Sequence, residues 1–191
     1  RTLESRPVPI APGIQVVICD TQTKRELAGS EYGQRRAQCE EGARLLGLAA
    51  LPDIDVEHFL ARAHELPPEV AKRCRFIVEE SARVLSLADA LTAGDRMQIG
   101  ALASASFEGA RDLYEVTIPE MWAMQRAMLN GPGVIGARQA GAGFGGCMVA
   151  FIEEESVNSF AAHITESYAA ATGIPPKVYA VKPPPGAGAV G

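Results

Sequence analysis

The chain predicts an α+β fold, a small antiparallel sheet packed against several helices. Three observations lead there. Short apolar runs of strand length stand only near the two ends, over residues 14–19, 134–137, 147–152 and 177–181. The long middle, residues 30–129, carries apolar positions at helical spacing instead. Residues 134–152 hold two strand-like runs joined by a glycine-rich loop. Helices segregated from a few strands exclude a doubly wound α/β protein. No internal repeat is visible, and 191 residues with 47% hydrophobic content suffice for one cored domain.

Residues 1–13, with Pro7 and Pro9, read as a linker arm and the end of a preceding domain. The strand over 14–19, Ile-Gln-Val-Val-Ile-Cys, follows Pro12-Gly13 and stops at Asp20-Thr21. Ser30 is an N-cap candidate for a helix with Tyr32, Cys39, Ala43 and Leu46 on one face, ended by Gly47. A short helix spans 56–63. Pro67-Pro68 opens the longest helix, whose Val70, Cys74, Ile77, Ser81, Val84, Ala88 and Leu91 form one continuous buried seam.

Gly94 breaks that helix and Asp95 caps the next, in which Ile99, Leu102, Ser106, Gly109 and Leu113 share a face. Pro119 starts a helix presenting Trp122, Gln125 and Leu129, and Gly131-Pro132-Gly133 stops it. After the two strands Ser156 caps a final helix through Val157, Phe160, Ile164 and Tyr168, closed by Gly173. A last strand covers 177–181. The domain thus spans 14–182, and the Pro/Gly run in 183–191 reads as a flexible tail.

A net charge of −5 with no basic block argues against nucleic acid or an anionic membrane as partner. No apolar stretch has transmembrane length. No secretory signal is visible, and a start at Arg1 reads as a cut end. Cys19, Cys39, Cys74 and Cys147 form no C-x-x-C pair and read as reduced, mostly buried thiols of a cytoplasmic protein. His58, His64 and His163 share no metal-ligand spacing and read as surface residues.

The loop from Gly136 to Cys147 holds Gly136, Gly141, Gly143, Gly145 and Gly146. Glycine serves where φ must be positive or a Cβ would block close approach, and successive N–H groups in such a turn cradle phosphate oxygens. Gly141, Gly143 and Gly146 satisfy G-x-G-x-x-G, yet a strand follows rather than the helix a dinucleotide site needs. No Gly-Lys-Ser/Thr closes a Walker loop. On pattern alone, phosphate handling and a tight packed connection explain the loop equally.

Five segments in order resemble the galactokinase family, in the kinase superfamily shared with homoserine, mevalonate and phosphomevalonate kinases. They are Val17-Ile18-Cys19-Asp20-Thr21; Glu26-Leu27-Ala28-Gly29-Ser30-Glu31-Tyr32 with Arg35-Arg36; Gly94-Asp95; Arg111-Asp112-Leu113-Tyr114-Glu115-Val116 with Pro119-Glu120; and the loop from Gly141 to Cys147. The match is to the C-terminal half, almost throughout this chain. It implies the C-terminal domain of a GHMP-type kinase in a ferredoxin-like arrangement, acting with ATP and Mg²⁺ on galactose. The family's sugar-binding domain, Ser-rich phosphate loop, catalytic aspartate and arginine would lie before Arg1, so no catalytic base is expected within the chain. The fragment would supply one wall of the cleft.

The resemblance further implies that Tyr32 lines the galactose pocket; by residue pattern alone, a core tyrosine beside Cys39 and Ala43 is as good a reading. Gly141, Gly143, Phe144, Gly145 and Gly146 would form the active-site loop that supports the phosphate loop of the missing domain. Lys24 matches a basic position near the nucleotide phosphates, although a solvated lysine is the commoner case. Arg138 reads as a charge clamp or a strand-end partner of a glutamate, and Asp20 and Asp112 as turn and ion-pair residues. Gln139-Ala140 replaces the family's Met-Thr, Phe107 a His, Gly109-Ala110 a Ser-Leu, Ile118 a Cys and Trp122 an Asp. These departures leave open a related sugar 1-kinase acting on N-acetylgalactosamine, arabinose or galacturonate, and a non-catalytic sensor on the same fold.

Overall fold

A computed structural model describes residues 7–23 and 29–181. In chain order the elements are β1 (Ile14–Asp20), α1 (Gly29–Leu45), α2 (Val56–Arg62), α3 (Pro68–Ala93), α4 (Arg96–Asp112), α5 (Pro119–Leu129), β2 (Val134–Gln139), β3 (Cys147–Glu153), α6 (Val157–Thr172) and β4 (Lys177–Val181). The strands form one four-stranded sheet in the order β2-β3-β1-β4, antiparallel at every pairing. With helices inserted after β1 and after β3, this is the ferredoxin-like arrangement.

Period-two alternation divides the strand side chains between two faces. Val17 and Cys19 of β1 and Met148, Ala150 and Ile152 of β3 face α5 and α6, where Met121, Met124, Met128, Phe160, Ile164 and Tyr168 complete a core without solvent exposure. Ile14, Val16, Val149 and Phe151 pack with Leu91 of α3 and Ile99 of α4. Helix α4 lies on the edge strand β2, where Gly100 and Gly136 meet. A Cβ on Gly100 would stand 2.4 Å from the Ile135 carbonyl oxygen, so only glycine admits the approach. A further core, built from Leu46, Leu51, Phe59, Cys74 and Val78, joins α1 and α2 to the first half of α3.

The caps at Asp55 and Asp95 form, accepting from the N–H groups of His58 (2.9 Å) and Gln98 (3.0 Å). Gly94 and Gly173 end α3 and α6 in the left-handed conformation. Ser156 does not cap by its side chain; it sits in a 3₁₀ turn, Glu154–Ser156, that leads into α6. Helix α1 already includes Gly29, so its cap lies outside the described residues. The short helix ends at Arg62, followed by a 3₁₀ turn, Ala63–Glu65.

Two helix faces differ from expectation. The seam of α3 is not continuous: Val84 is 51% exposed, while Arg73, Phe76 and Val78 are buried instead. A straight helix drifts off a seven-residue repeat, and over 26 residues α3 turns successive faces towards α2, α4 and the end of the sheet. On α5 the buried face is Met121, Met124 and Met128; Trp122 and Leu129 are nearly half exposed, and of the expected trio only Gln125 is covered. Residues 7–13, read as a linker arm, run onto the end of α3, with the Ala11 N–H donating to the Leu91 carbonyl (2.9 Å) and Ile10 packed among that cluster. The expected flexible tail lies outside the described residues, as do 1–6 of the arm.

Candidate active site

The glycine loop leaves β2 at Gln139 and re-enters the sheet at Cys147, with the Ala140 N–H bonded to the Cys147 carbonyl (3.0 Å). Residues Gly143, Phe144, Gly145 and Gly146 have φ values of +88°, +58°, +116° and +84°, a run that a chain of ordinary residues resists. Three segments pin its underside. The Gly146 carbonyl accepts from the Thr21 N–H (3.1 Å) and from the Thr21 hydroxyl (2.7 Å). Gly145 donates to Met121 Sδ (3.3 Å), and Phe144 to the Val116 carbonyl (2.6 Å).

A Cβ on Gly143 would lie 2.2 Å from the Val116 oxygen, and one on Gly145 would lie 2.8 Å from Thr23 Oγ1. The close approach that glycine permits is therefore made within this chain. At the tip of the loop Gly141 is exposed and Ala142 half-buried, while Gly143 is buried. Backbone N–H groups at such a tip are of the kind that meet phosphate oxygens.

Behind the loop, Thr21 is fully buried and does double service: its hydroxyl holds Gly146 and accepts from the Thr23 hydroxyl (2.6 Å), and its carbonyl accepts from Tyr168 Oη (2.9 Å). Phe144 packs on Phe76, Ala110 and Val116, in a cluster that includes Tyr114. The Tyr114 ring stacks on Phe76 with centroids 4.9 Å apart. Burial and the nearby Cys39 thiol raise the Tyr114 hydroxyl above its usual range.

Tyr32 is 43% exposed, which removes the core reading. It lines a cavity of about 560 Å³ with Arg36, Cys39, Leu51, Ile77 and Tyr114. Tyr114 thus belongs both to the cavity of Tyr32 and to the cluster of Phe144.

Under that surface lies an ion cluster that the sequence reading did not assign. Glu115, at φ +55°, receives Lys72 Nζ (2.5 Å) and Arg73 Nη2 (2.6 Å); Arg73, 3% exposed, also donates to the Leu113 carbonyl (2.5 Å). Arg35 of α1 donates to the Tyr114 carbonyl (2.8 Å). Hydrogen bonds from Arg73, then Lys72, hold the Glu115 carboxyl down at about 2. Arg35 and Glu115 stand in quoted motifs, but their pairing is long-range; Lys72 and Arg73 sit beside the apolar positions of α3 with no signal of their own.

Arg138 pairs with Glu80 (2.9 Å) as a strand-end residue, Asp112 with its neighbour Arg111 (2.7 Å), and Asp20 accepts from the Gln22 N–H in a turn (2.9 Å). Lys24 lies outside the described residues. None of the four cysteines is in a disulfide; burial lifts the Cys19 thiol to about 12, which makes it inert as a nucleophile. His58 and His64 are exposed, whereas His163 is half-buried against the Ala127 carbonyl (3.1 Å). Among the described residues no three His, Cys, Asp or Glu converge on a metal position, so these residues do not by themselves form a Mg²⁺ cage. The same residues include no helix long and apolar enough to cross a membrane.

The model of the family "GHMP kinases C terminal" matches residues 87–170. A structure of Lactococcus lactis galactokinase complexed with galactose is 30% identical over 94% of this chain, with a TM-score of 0.86. A mevalonate kinase of L. major with R-mevalonate (13% identical, 92% of this chain, TM-score 0.56) and the phosphomevalonate kinase of Streptococcus pneumoniae (15%, 92%, 0.58) share the fold. The chain spans about half of each, 48%, 44% and 43% of their lengths. The glycine loop, the order of the sheet and these matches together identify the chain as a GHMP kinase C-terminal domain resembling the C-terminal half of galactokinase.

Proposed function

We propose that this domain forms one wall of the active-site cleft of a galactokinase, an enzyme that transfers the γ-phosphoryl group of ATP to the anomeric hydroxyl of galactose. The observation that carries the reading is that Tyr114 stands both in the open cavity of the exposed Tyr32 and in the cluster on which Phe144 of the glycine loop packs. Phosphoryl transfer depends chiefly on positioning and charge stabilisation, with Mg²⁺ neutralising the phosphates when it is bound. In this scheme Tyr32 offers ring and hydroxyl to the sugar. The loop supports the phosphate-binding elements of an upstream domain, and by the family resemblance Lys24 would serve the nucleotide phosphates.

None of the departures Phe107, Gly109, Ala110, Ile118, Trp122, Gln139 and Ala140 lines the cavity of Tyr32. Ile118 reaches Gly145 and Ala110 lies against Phe144, so the departures fall on the loop side and the related sugar 1-kinases remain the alternative reading. Cysteines outside any disulfide agree with a cytoplasmic setting.

The test is to follow ADP release from MgATP with galactose, using the purified chain alone and with a separately produced upstream half. The expected result is no turnover alone and turnover on mixing. Robust turnover by the chain alone, or none with a folded partner half, overturns the reading. Galacturonate, arabinose and N-acetylgalactosamine in place of galactose separate the related kinases.

A further inference from the structure

The bend at residues 113–116 is built in a way that bears on the loop. Glu115 takes a left-handed φ of +55°, a conformation that a non-glycine residue adopts only when its surroundings hold it there. Its two carboxylate oxygens are held separately, one by Lys72 and one by Arg73. Arg73 adds a bond to the Leu113 carbonyl and Arg35 one to the Tyr114 carbonyl, so three successive residues are held by side chains of α1 and α3. The next residue, Val116, is 1% exposed; its N–H bonds to Ala110 (3.0 Å), and its carbonyl is where Phe144 hangs (2.6 Å) and Gly143 packs. The fit at Gly143 leaves no slack for the Val116 carbonyl to shift.

We infer that the Glu115 carboxylate sets the position of the glycine loop, by clamping the bend from whose Val116 carbonyl the loop is suspended. Glu115 is a positioning residue: it acts on the loop through Val116. Arg35 stands one helical turn from Tyr32 on α1, so the same clamp registers the loop against the helix that carries the aromatic. The catalytic consequence, a lower kcat with KM nearly unchanged when the clamp is cut, rests on the active-site reading above; the clamp itself does not.

The test uses amide hydrogen exchange by NMR on the 191-residue chain. In Glu115→Gln the Phe144 amide should exchange about tenfold faster or more, with the Gly143 and Gly145 resonances displaced, while the Val149 and Ala150 amides of β3 keep wild-type protection. Lys72→Met, which removes the more exposed partner, should move the same loop resonances in the same direction by less, and it decides the matter if Glu115→Gln does not fold. An unchanged Phe144 amide overturns the clamp, as does a Phe144 amide that loosens only in step with β3. With the upstream half supplied, a released loop and unchanged galactose turnover would count against the active-site reading and leave the clamp standing.

Discussion

Gly143 has room for a hydrogen and for nothing larger. Gly143→Val in this chain combines a left-handed φ with a branched side chain driven against the Val116 carbonyl, and should cost about 2–4 kcal/mol in urea unfolding. The sequence resemblance assigns Gly143 to a loop that supports the phosphate loop of a missing domain; the clash falls inside this domain, so stability should fail along with any turnover. Thr21→Val removes one of two donors to the Gly146 carbonyl and the acceptor of the Thr23 hydroxyl. It should cost about 1–2 kcal/mol, read as a melting temperature lower by roughly 2–8 °C. Tyr32→Ala makes the opposite case. With the side chain nearly half exposed, the melting temperature should stay within a degree or two while galactose-dependent turnover with the upstream half falls sharply. A parallel loss of stability would return Tyr32 to a packing role.

At the scale of elements, the buried face of α5 and the clamp below α1 give the sharpest tests. Met124 is fully buried in the main core, so Met124→Ala should cost about 2–4 kcal/mol. Trp122, two residues away on the outer face and bonded to the Thr117 hydroxyl (2.7 Å), should cost about 1 kcal/mol when changed to Ala, and equal losses would mean that the helix is rotated. Sequence periodicity placed that helix correctly but chose the wrong side, because Met121, Met124 and Met128 recur at the same helical spacing as Trp122, Gln125 and Leu129 and spacing alone does not select between the two faces. The Glu115 carboxyl, held at about 2 against an ordinary 4.5, is depressed by folding. Its stabilisation is therefore complete above about pH 4.5 and is lost as pH falls from there to 2. Melting temperatures measured across that window should fall less steeply in Glu115→Gln than in the wild type; identical slopes would show that the carboxylate carries no linked stability.

For the whole molecule, the exposed half of α1 sets the expectation. Residues 31–34 are all exposed, and Tyr32 and Leu45 present apolar area to solvent without a covering element among the described residues. Light scattering on the isolated chain should detect weak self-association that the upstream half suppresses. A strictly monomeric chain whose mass does not change on mixing would count against a docking face here. The comparison with lactococcal galactokinase covers nearly all of this chain and about half of that one.

Element order, the cap at Asp95, the stops at Gly94 and Gly173 and the strand–loop–strand around Gly141 to Gly146 were all legible in the chain itself, because each is a local interaction of residues a few positions apart. The alternation of β1 and β3 likewise determined which residues face α5 and α6. What only the tertiary structure decided is what the loop rests on. Thr21 on one side and Val116 with Met121 on the other come from two segments distant in sequence, and Glu115 meets Arg73 and Lys72 across some forty residues of chain. Such contacts exist only once the helices have packed, and nothing in the local spacing of the partners encodes them.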